Sequence, residues 1–261
     1  MDVREALDAN RSSGSRHPWE LARLEVVERL LRKHTRSFSG SRHVVLDIGC
    51  GDAFLVRSLA TQYPQVSFLG VDTALTDEVR QVLGDRVCAP NLNLYQRLDK
   101  FEREEWTISV VLLLDVLEHM DDDAEFLHEL VQNPSVRKGA LFVITVPAFQ
   151  FLFSSHDHLL NHYRRYCLRR LKRTVTNAGM RVITGGYFFA TLLIPRLMEA
   201  ALERGLRLGH KQHTDVSVWN GNAVLTSLLK TVLLTDFEIL RFLGNCGLVL
   251  PGLSCYTVCQ T

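Results

Sequence analysis

Apolar and polar residues follow one another in blocks along most of this chain, and the blocks predict alternating strands and helices. Several short apolar runs, bounded by polar or glycine-containing segments, have the length typical of buried strands. These runs cover residues 44–48, 66–71, 108–114, 140–146 and 181–189. The alternation favours an α/β fold with a mostly parallel sheet, whose functional edge lies at the carboxyl ends of the strands.

The remaining segments have apolar residues at helical spacing. Residues 19–33 predict a helix ahead of the sheet, and residues 168–178 predict one within the core. Residues 192–208 and 223–243 are two longer apolar helical stretches, and residues 253–259 predict a closing strand. We therefore expect an N-terminal arm and helix at 1–40, a core at 41–189, an apolar helical insert at 190–250 and a closing strand at 251–261.

The first predicted strand leads directly into a glycine-rich turn. Residues 43–54 read HVVLDIGCGDAF, and glycine lets the backbone pass close to a bound molecule where a Cβ atom would collide. The dinucleotide fingerprint G-x-G-x-x-G would need its third glycine at the position of Phe54, so that pattern fails. The turn fits acid-x-Gly-x-Gly instead, and a tight turn without any ligand is the alternative interpretation.

Acidic residues follow two further predicted strands. Asp72 follows the run at 66–71, and in doubly wound sheets an acid about 20 residues beyond the glycine turn binds ribose hydroxyls. Asp115 follows the run at 108–114 and opens the segment DVLEHM. Three more aspartates at 121–123 precede an amphipathic stretch, where negative charge favours a helix N-terminus. We interpret those three as capping residues rather than as metal ligands.

The segments D-I-G-C-G at 47–51 and D-V-L-E-H at 115–119 resemble motifs I and IV of the class I S-adenosylmethionine (SAM) methyltransferases. Ala53 departs from the family pattern, which usually has a third glycine there. The resemblance implies a Rossmann-like, doubly wound, seven-stranded sheet with an antiparallel last strand, and it implies SAM as the cofactor. The residues that we expect to bind SAM are Asp47, Gly49, Cys50, Gly51, Asp72, Thr73, Asn91, Asp115, Val116 and His119.

Residues 146–166, VPAFQFLFSSHDHLLNHYRRY, follow a core strand and are dense in histidine, arginine and aromatic residues. They resemble a subgroup of bacterial small-molecule methyltransferases with the pattern V-P-A…S-x-H-D…H-x-R-R-Y. His17, Trp19 and Arg23 resemble an H-x-W…R element of the same subgroup. We expect this segment to face the substrate, and the residues predicted on that side are Phe149, Phe153, His156, His162, Arg165 and Tyr166.

Methyl transfer to a hydroxyl needs positioning and a base, and histidine is the usual base near neutral pH. His156 is the first candidate, with Asp157 as a possible orienting carboxylate, and His119 is the second because it follows a strand end. A histidine that braces the loop is the alternative for His156. For His162, Arg165 and Tyr166 two roles are open: they anchor the loop, or they bind an anionic group.

Charge and composition limit the kinds of partner, metal site and location that we expect for this chain. The net charge is +1 and long runs of Lys and Arg are missing, so nucleic acid is not the favoured partner. The six cysteines form no C-x-x-C pair and no His/Cys cluster has zinc spacing, so we expect no metal site and a cytoplasmic location. We expect no membrane span. The insert is either a pair of helices packed on the sheet or a lid that receives a greasy substrate or contacts a membrane surface.

The function that these residues predict is SAM-dependent methyl transfer to a small or lipid-like molecule, most simply at oxygen. A non-catalytic SAM-binding partner of another enzyme is the first alternative. An NAD-dependent oxidoreductase is a further alternative, disfavoured by Phe54 and by the DVLEHM segment. The acceptor and the oligomeric state stay open at this point.

Overall fold

The fold is that of the computed structural model, which describes residues 16–35, 43–84, 89–98, 106–205, 219 and 221–261. The strands are β1 (Val44–Ile48), β2 (Ser67–Val71), β3 (Leu92–Tyr95), β4 (Ile108–Leu114), β5 (Val136–Pro147), β6 (Arg181–Phe188) and β7 (Ser254–Gln260). The helices are α1 (Pro18–His34), α2 (Phe54–Gln62), α3 (Asp77–Leu83), α4 (Asp123–Gln132), α5 (Ser155–Leu159), α6 (Leu168–Asn177), α7 (Ala190–Gly205) and α8 (Ala223–Asn245). Short 3-10 turns lie at Leu117–His119 and Gln150–Leu152.

The strands form one seven-stranded sheet in the order β3-β2-β1-β4-β5-β7-β6. β1 to β5 run parallel to one another, whereas β7 runs antiparallel to both of its neighbours, β5 and β6. This arrangement confirms the predicted mostly parallel sheet with an antiparallel last strand. The chain leaves β1 toward β3 on one side and returns to β4 on the other, so a crevice opens at the carboxyl ends of β1 and β4.

Two apolar layers cover the two faces of the sheet. Helices α1, α2 and α8 bury Val26, Leu59 and Phe237 on one face. Helices α4 and α6 bury Leu127 and Leu171 on the other. β1 and β4 are buried along their whole length, which is why their sequences are nearly continuous apolar runs rather than alternating ones.

Two elements differ from the sequence-based prediction. β3 was not located, because this edge strand is only partly buried and its residues do not form an apolar run. β5 begins at Val136, earlier than predicted, and its second and third residues are the exposed Arg137 and Lys138. The charged residues hide the start of the strand from a search for apolar runs.

The predicted insert contains one helix that belongs to the core. α8 packs against α1 and β6, and it buries Leu233, Phe237 and Leu240. Its Asp236 accepts hydrogen bonds from the backbone N–H and hydroxyl of Thr191 at the start of α7. For α8, the packing supports the alternative of a helix on the sheet rather than a separable lid.

Candidate active site

The glycine turn between β1 and α2 has a backbone that side chains rarely allow. Gly49, Gly51 and Ala53 all have positive φ angles, of 72°, 57° and 59°. A Cβ atom at Gly49 would lie 2.7 Å from Cγ2 of Val116, which follows β4. Gly49 is therefore required by both its conformation and its close approach to the neighbouring strand end. Ala53 adopts the left-handed conformation at the position where the family pattern has glycine.

Asp72 connects the glycine turn to the end of β2. Its Oδ2 accepts a hydrogen bond from the Gly51 N–H at 2.8 Å, and its Oδ1 accepts one from Ala74 N–H at 2.9 Å. Thr73 beside it is exposed, and its carbonyl accepts a hydrogen bond from Gln96. Cys50 within the turn is buried, and burial raises the pKa of its thiol well above the ordinary value, so it is held as an uncharged small residue.

Helix α1 reaches across the carboxyl edge of the sheet. Arg23 Nη1 lies 2.8 Å from Asp115 Oδ2, and Arg23 Nη2 donates to the hydroxyl of Thr145 at 3.2 Å. Thr145 in turn donates to Asp115 Oδ1 at 3.0 Å. Asp115 itself has a φ of 58°. The sequence named Arg23 only as part of a resemblance, and its ion pair with Asp115 was not predicted.

Asp47 is buried next to a cavity between α1 and the glycine turn. Trp19, Arg23, Asp47 and Gly49 are among the residues that line the cavity. Asp47 is only 2% exposed, and its Oδ1 has no hydrogen-bond partner among the described residues. Burial raises the pKa of Asp47 to about 7, with a further rise from the charge of Asp72 and an opposing effect of Arg23. A ligand with a cationic group would satisfy this carboxylate.

Asn91 does not lie in this site, which corrects the prediction that it binds the cofactor. It precedes β3 and so lies at the amino edge of the parallel strands, opposite to Asp47, Asp72 and Asp115. Its amide donates hydrogen bonds to the carbonyls of Ala60, Tyr63 and Val66 at 2.7–3.1 Å. Asn91 therefore holds the end of α2 and the loop that enters β2.

The segment after β5 is organised around the buried carboxylate of Asp157. This carboxylate accepts hydrogen bonds from Ser154 N–H at 2.9 Å, from His162 Nδ1 at 2.9 Å, and from Arg165 Nε and Nη2 at 2.7 and 3.0 Å. Burial alone would raise its pKa, but the hydrogen bonds from His162 and Arg165 hold that pKa well below its ordinary value. Asp157 is thus an ionised centre that fixes the loop.

Arg165 and Tyr166 anchor the same loop, which supports the alternative of loop anchoring over a contact with the substrate. Arg165 is buried against Asp157, and its Nη1 donates to the carbonyl of Ala148. Tyr166 is fully buried, and its hydroxyl donates to Asp123 Oδ2 at 2.6 Å. Of the aspartates at 121–123, Asp122 accepts from the N–H groups of the first turn of α4, as predicted for a cap.

A cluster of titratable groups lies between the end of β4 and this loop. His119 and His162 meet edge to face with ring centroids 4.6 Å apart. Glu118 beside them is fully buried, and neither of its oxygens has a hydrogen-bond partner among the described residues. Burial, then the charge of Asp115, raises the pKa of Glu118 well above its ordinary value. The burial of Glu118 depends on contacts between segments that are distant in the sequence, so no local pattern predicts it.

The other residues predicted on the substrate side lie on the same loop. His156 is half-buried, and burial followed by the charge of Arg196 lowers its pKa below the ordinary value. Arg196 belongs to α7 and donates a hydrogen bond to Ser154 Oγ, so α7 covers this loop. Phe149 stacks on Phe151 and on Tyr187 with centroids 5.3 Å apart in each case. Phe153 meets His158 edge to face.

Residues 46–135 match a family described as a methyltransferase domain. No curated protein sequence matches the chain significantly. None of the helices within the described ranges has the length and apolar character needed to cross a membrane.

Similar solved structures cover nearly the whole chain at low identity. A SAM-dependent methyltransferase from Archaeoglobus fulgidus is 16% identical, with a TM-score of 0.50 over 91% of this chain and 94% of that one. Coclaurine N-methyltransferase bound to N-methylheliamine and S-adenosylhomocysteine is 11% identical, with a TM-score of 0.54 over 91% and 72%. The [4+2]-cyclase SpnF is 11% identical, with a TM-score of 0.53 over 91% and 81%. The chain therefore has the fold of these solved structures, and its residues 46–135 are similar to a methyltransferase domain.

Proposed function

We propose that this chain is an enzyme that uses SAM to methylate an oxygen of a small or lipid-like acceptor. The observation that carries the proposal is the meeting of Asp47, Asp72 and Asp115 at the carboxyl ends of three adjacent strands, with Arg23 of α1 beside them. A parallel sheet collects its ligand contacts at this edge. The similarity of SpnF, described as a cyclase, means that the fold by itself does not define the reaction.

The chemical groups of SAM fit the residues present. The cationic amino group of SAM would satisfy the unpartnered Oδ1 of Asp47, and its carboxylate would pair with Arg23, whose buried Nε also lacks a partner among the described residues. The ribose hydroxyls would face Asp72, which accepts a hydrogen bond from the Gly51 N–H. We expect Gly49, Cys50, Gly51, Thr73, Val116 and His119 to complete the cofactor site. When bound, SAM supplies a methyl group on a sulfonium, which is electrophilic. The chain's own residues would orient the acceptor and remove its proton.

An oxygen acceptor is the form of the proposal that the histidines favour. His156 has a lowered pKa, so it is uncharged at neutral pH and available to accept a hydroxyl proton. His119, at the end of β4, is the second candidate base. An alkyl amine acceptor is protonated at neutral pH, so it must lose that proton before its nitrogen can accept a methyl group. Coclaurine N-methyltransferase shares the fold, so amines belong among the acceptors that are tested.

A lipid-like acceptor is supported by the exposed apolar side chains of α7 and α8. Ile194, Met198, Leu228 and Phe242 are all more than half exposed. Large exposed apolar patches mark surfaces that bind apolar ligands, membranes or other proteins. Acceptors with alkyl groups of different length test this part of the proposal, and KM should fall as the alkyl group lengthens. Phe242→Glu should weaken that dependence of KM without changing SAM affinity.

Cofactor binding is tested by titrating the protein with SAM, S-adenosylhomocysteine and NAD by calorimetry. We expect SAM and its product to bind and NAD not to bind. Asp72→Ala should weaken SAM at least about tenfold, because a charged hydrogen-bonding partner is lost. Asp77→Ala is the matched control, since Asp77 is an exposed acid on α3. Binding of NAD alone would overturn the proposal.

Turnover separates the enzyme from a non-catalytic SAM-binding partner. Formation of S-adenosylhomocysteine is followed with phenols, alcohols and amines of short and long alkyl chain as acceptors. The proposal expects hydroxyl acceptors to be methylated, and expects His156→Asn to lower kcat with little change in SAM affinity. His119→Asn should also lower kcat if His119 is the base. Methylation of amines alone would overturn the oxygen assignment and leave the methyltransferase assignment intact.

A further inference from the structure

Three potential metal ligands meet beside the proposed SAM site. Glu118 and His119 belong to the 3-10 turn after β4, and His162 comes from the loop after β5. One donor atom from each of these residues lies within 4.8 Å of the other two. Their burial is graded: Glu118 is buried, His162 is half-buried and His119 is exposed. The cluster therefore has a closed side and an open side, as a site that binds both an ion and a ligand requires.

The carboxylate of Glu118 is the observation that points to a cation. It is fully buried, and neither oxygen has a hydrogen-bond partner among the described residues. A buried polar group without a partner costs free energy of folding, and buried charges in proteins are normally paired or bound to a metal. Both oxygens of Glu118 are without a partner, so the site offers the lone pairs that a cation needs.

The hydrogen bond from His162 to Asp157 prepares His162 as a ligand. An ionised carboxylate can only accept, so Nδ1 of His162 carries the hydrogen in the 2.9 Å contact with Asp157 Oδ1. Nε2 of the neutral ring then carries the lone pair. Metal-binding histidines in proteins commonly donate their other ring N–H to a carboxylate, and this contact fixes the tautomer and the ring orientation. Arg165 holds that carboxylate in place through its own hydrogen bonds.

We propose that Glu118, His119 and His162 bind a divalent transition-metal ion of the Zn²⁺ type. Two imidazoles and one carboxylate match the ligand preference of such ions, and three protein ligands leave a position open. Tetrahedral ligand bonds of about 2.0–2.2 Å place the donor atoms about 3.3–3.6 Å apart, so the side chains would move closer together by about 1 Å to hold the ion. The sequence predicts no metal, because no His/Cys cluster has zinc spacing. The three ligands come instead from two segments that meet only in the folded chain.

The ion deepens the proposed function, and this part of the inference rests on it. A metal with an open position would hold a hydroxyl of the acceptor and lower the pKa of that hydroxyl. His119 would then act as a ligand, and His156 would be the remaining candidate base.

Metal binding is tested without any substrate. Protein treated with a chelator is titrated with Zn²⁺ by calorimetry and with Co²⁺ by visible absorption, whose bands report the ligand geometry. We expect one ion per chain. Glu118→Gln and His162→Ala should each weaken binding at least about tenfold, whereas His158→Ala, an exposed histidine on the same loop, should not. Circular dichroism and thermal unfolding confirm that the variants fold.

The outcomes separate this inference from the proposed function. Equal Zn²⁺ affinity in Glu118→Gln, His158→Ala and wild type, or no stoichiometric binding, would overturn the metal site. If the protein binds the metal but methylates a hydroxyl acceptor equally fast without it, the catalytic role of the metal would be overturned and the binding site would stand. Failure to bind SAM would overturn the proposed function, while the Co²⁺ spectrum and its loss in the variants would still support the site.

Discussion

The guanidinium of Arg23 pairs with the carboxylate of Asp115 at 2.8 Å, and both groups share hydrogen bonds with Thr145. Arg23 precedes the sheet in the chain, whereas Asp115 and Thr145 lie at the ends of β4 and β5. The pair therefore joins the N-terminal helix to the carboxyl edge of the sheet. A helix that packs on one face of the sheet thus also supplies a charged side chain to the candidate active site.

Arg23→Ala should weaken SAM binding. Loss of a charged hydrogen-bonding partner costs about 1–3 kcal/mol of binding free energy. A loss above about 1.4 kcal/mol lowers the affinity for SAM more than tenfold. Arg29→Ala is the matched control, because Arg29 lies on the same helix and pairs with Glu238 away from the site. Calorimetry compares the two variants with wild type. A normal SAM affinity in Arg23→Ala would remove Arg23 from the cofactor site.

Gly49→Ala should destabilise the protein by two separable effects. A positive φ costs about 1–2 kcal/mol for a residue with a side chain, and the new Cβ would lie 2.7 Å from Val116 Cγ2. Gly179→Ala isolates the first effect, since φ is also positive there but no atom lies within 4 Å of an added Cβ. Urea unfolding should show a larger loss of free energy of unfolding for Gly49→Ala than for Gly179→Ala.

A double-mutant cycle tests the contact itself. Val116→Ala removes the atom that the new Cβ would meet, so Gly49→Ala should cost less in that background, with a coupling of about 0.5–3 kcal/mol. Additive costs would mean that the turn moves away from β4 in the variant.

The fold was predictable where local pattern and burial coincide. β1 and β4 are covered on both faces, so their apolar runs stand out, and Asp47 and Asp115 could be placed at one edge because parallel strands end together. β3 escaped detection because an edge strand is only partly buried, and the missing strand left Asn91 on the wrong end of its neighbours.

Side-chain pairing in the site was less predictable than the strand ends. Three features of the site arise where segments distant in sequence meet. They are the burial of Glu118, the ion pair of Arg23 with Asp115, and the hydrogen bonds to Asp157. A local pattern of residues reports periodicity and composition, but it does not report which polar atoms remain without partners after folding. The same limit explains why Arg165 and Tyr166 looked like ligand-binding residues and are buried anchors.

The pKa of Asp47 predicts a pH dependence of stability. The group ionises near 3.8 when unfolded and near 7 when folded, so between about pH 4 and about pH 7 the folded state binds more protons. The free energy of unfolding contributed by Asp47 therefore falls as pH rises through this window and is constant above it. Asp47→Asn removes this pH dependence. The free energy of unfolding of the variant minus that of wild type should therefore be larger at about pH 8 than at about pH 5. Denaturant unfolding at both pH values measures this difference, and an equal difference at both would contradict the raised pKa.

Asp157→Asn should be among the most destabilising single changes in the loop after β5. Removal of one partner of a buried ion pair leaves the other charge unpaired, which costs about 3–5 kcal/mol, and Arg165 would be that charge. Glu199→Gln is the control, because the Glu199 carboxylate is exposed and ion pairs of exposed groups contribute about 0–1 kcal/mol. Removing both charges, in Asp157→Asn/Arg165→Met, should cost less than the sum of the single changes, since Arg165 is then no longer a buried unpaired charge. Arg196 Nη2, which lies 3.8 Å from Asp157 Oδ2, loses that partner in both Asp157 variants. Urea unfolding of the four variants measures the coupling, and additive costs would show that Asp157 acts through Ser154 and His162 rather than through Arg165.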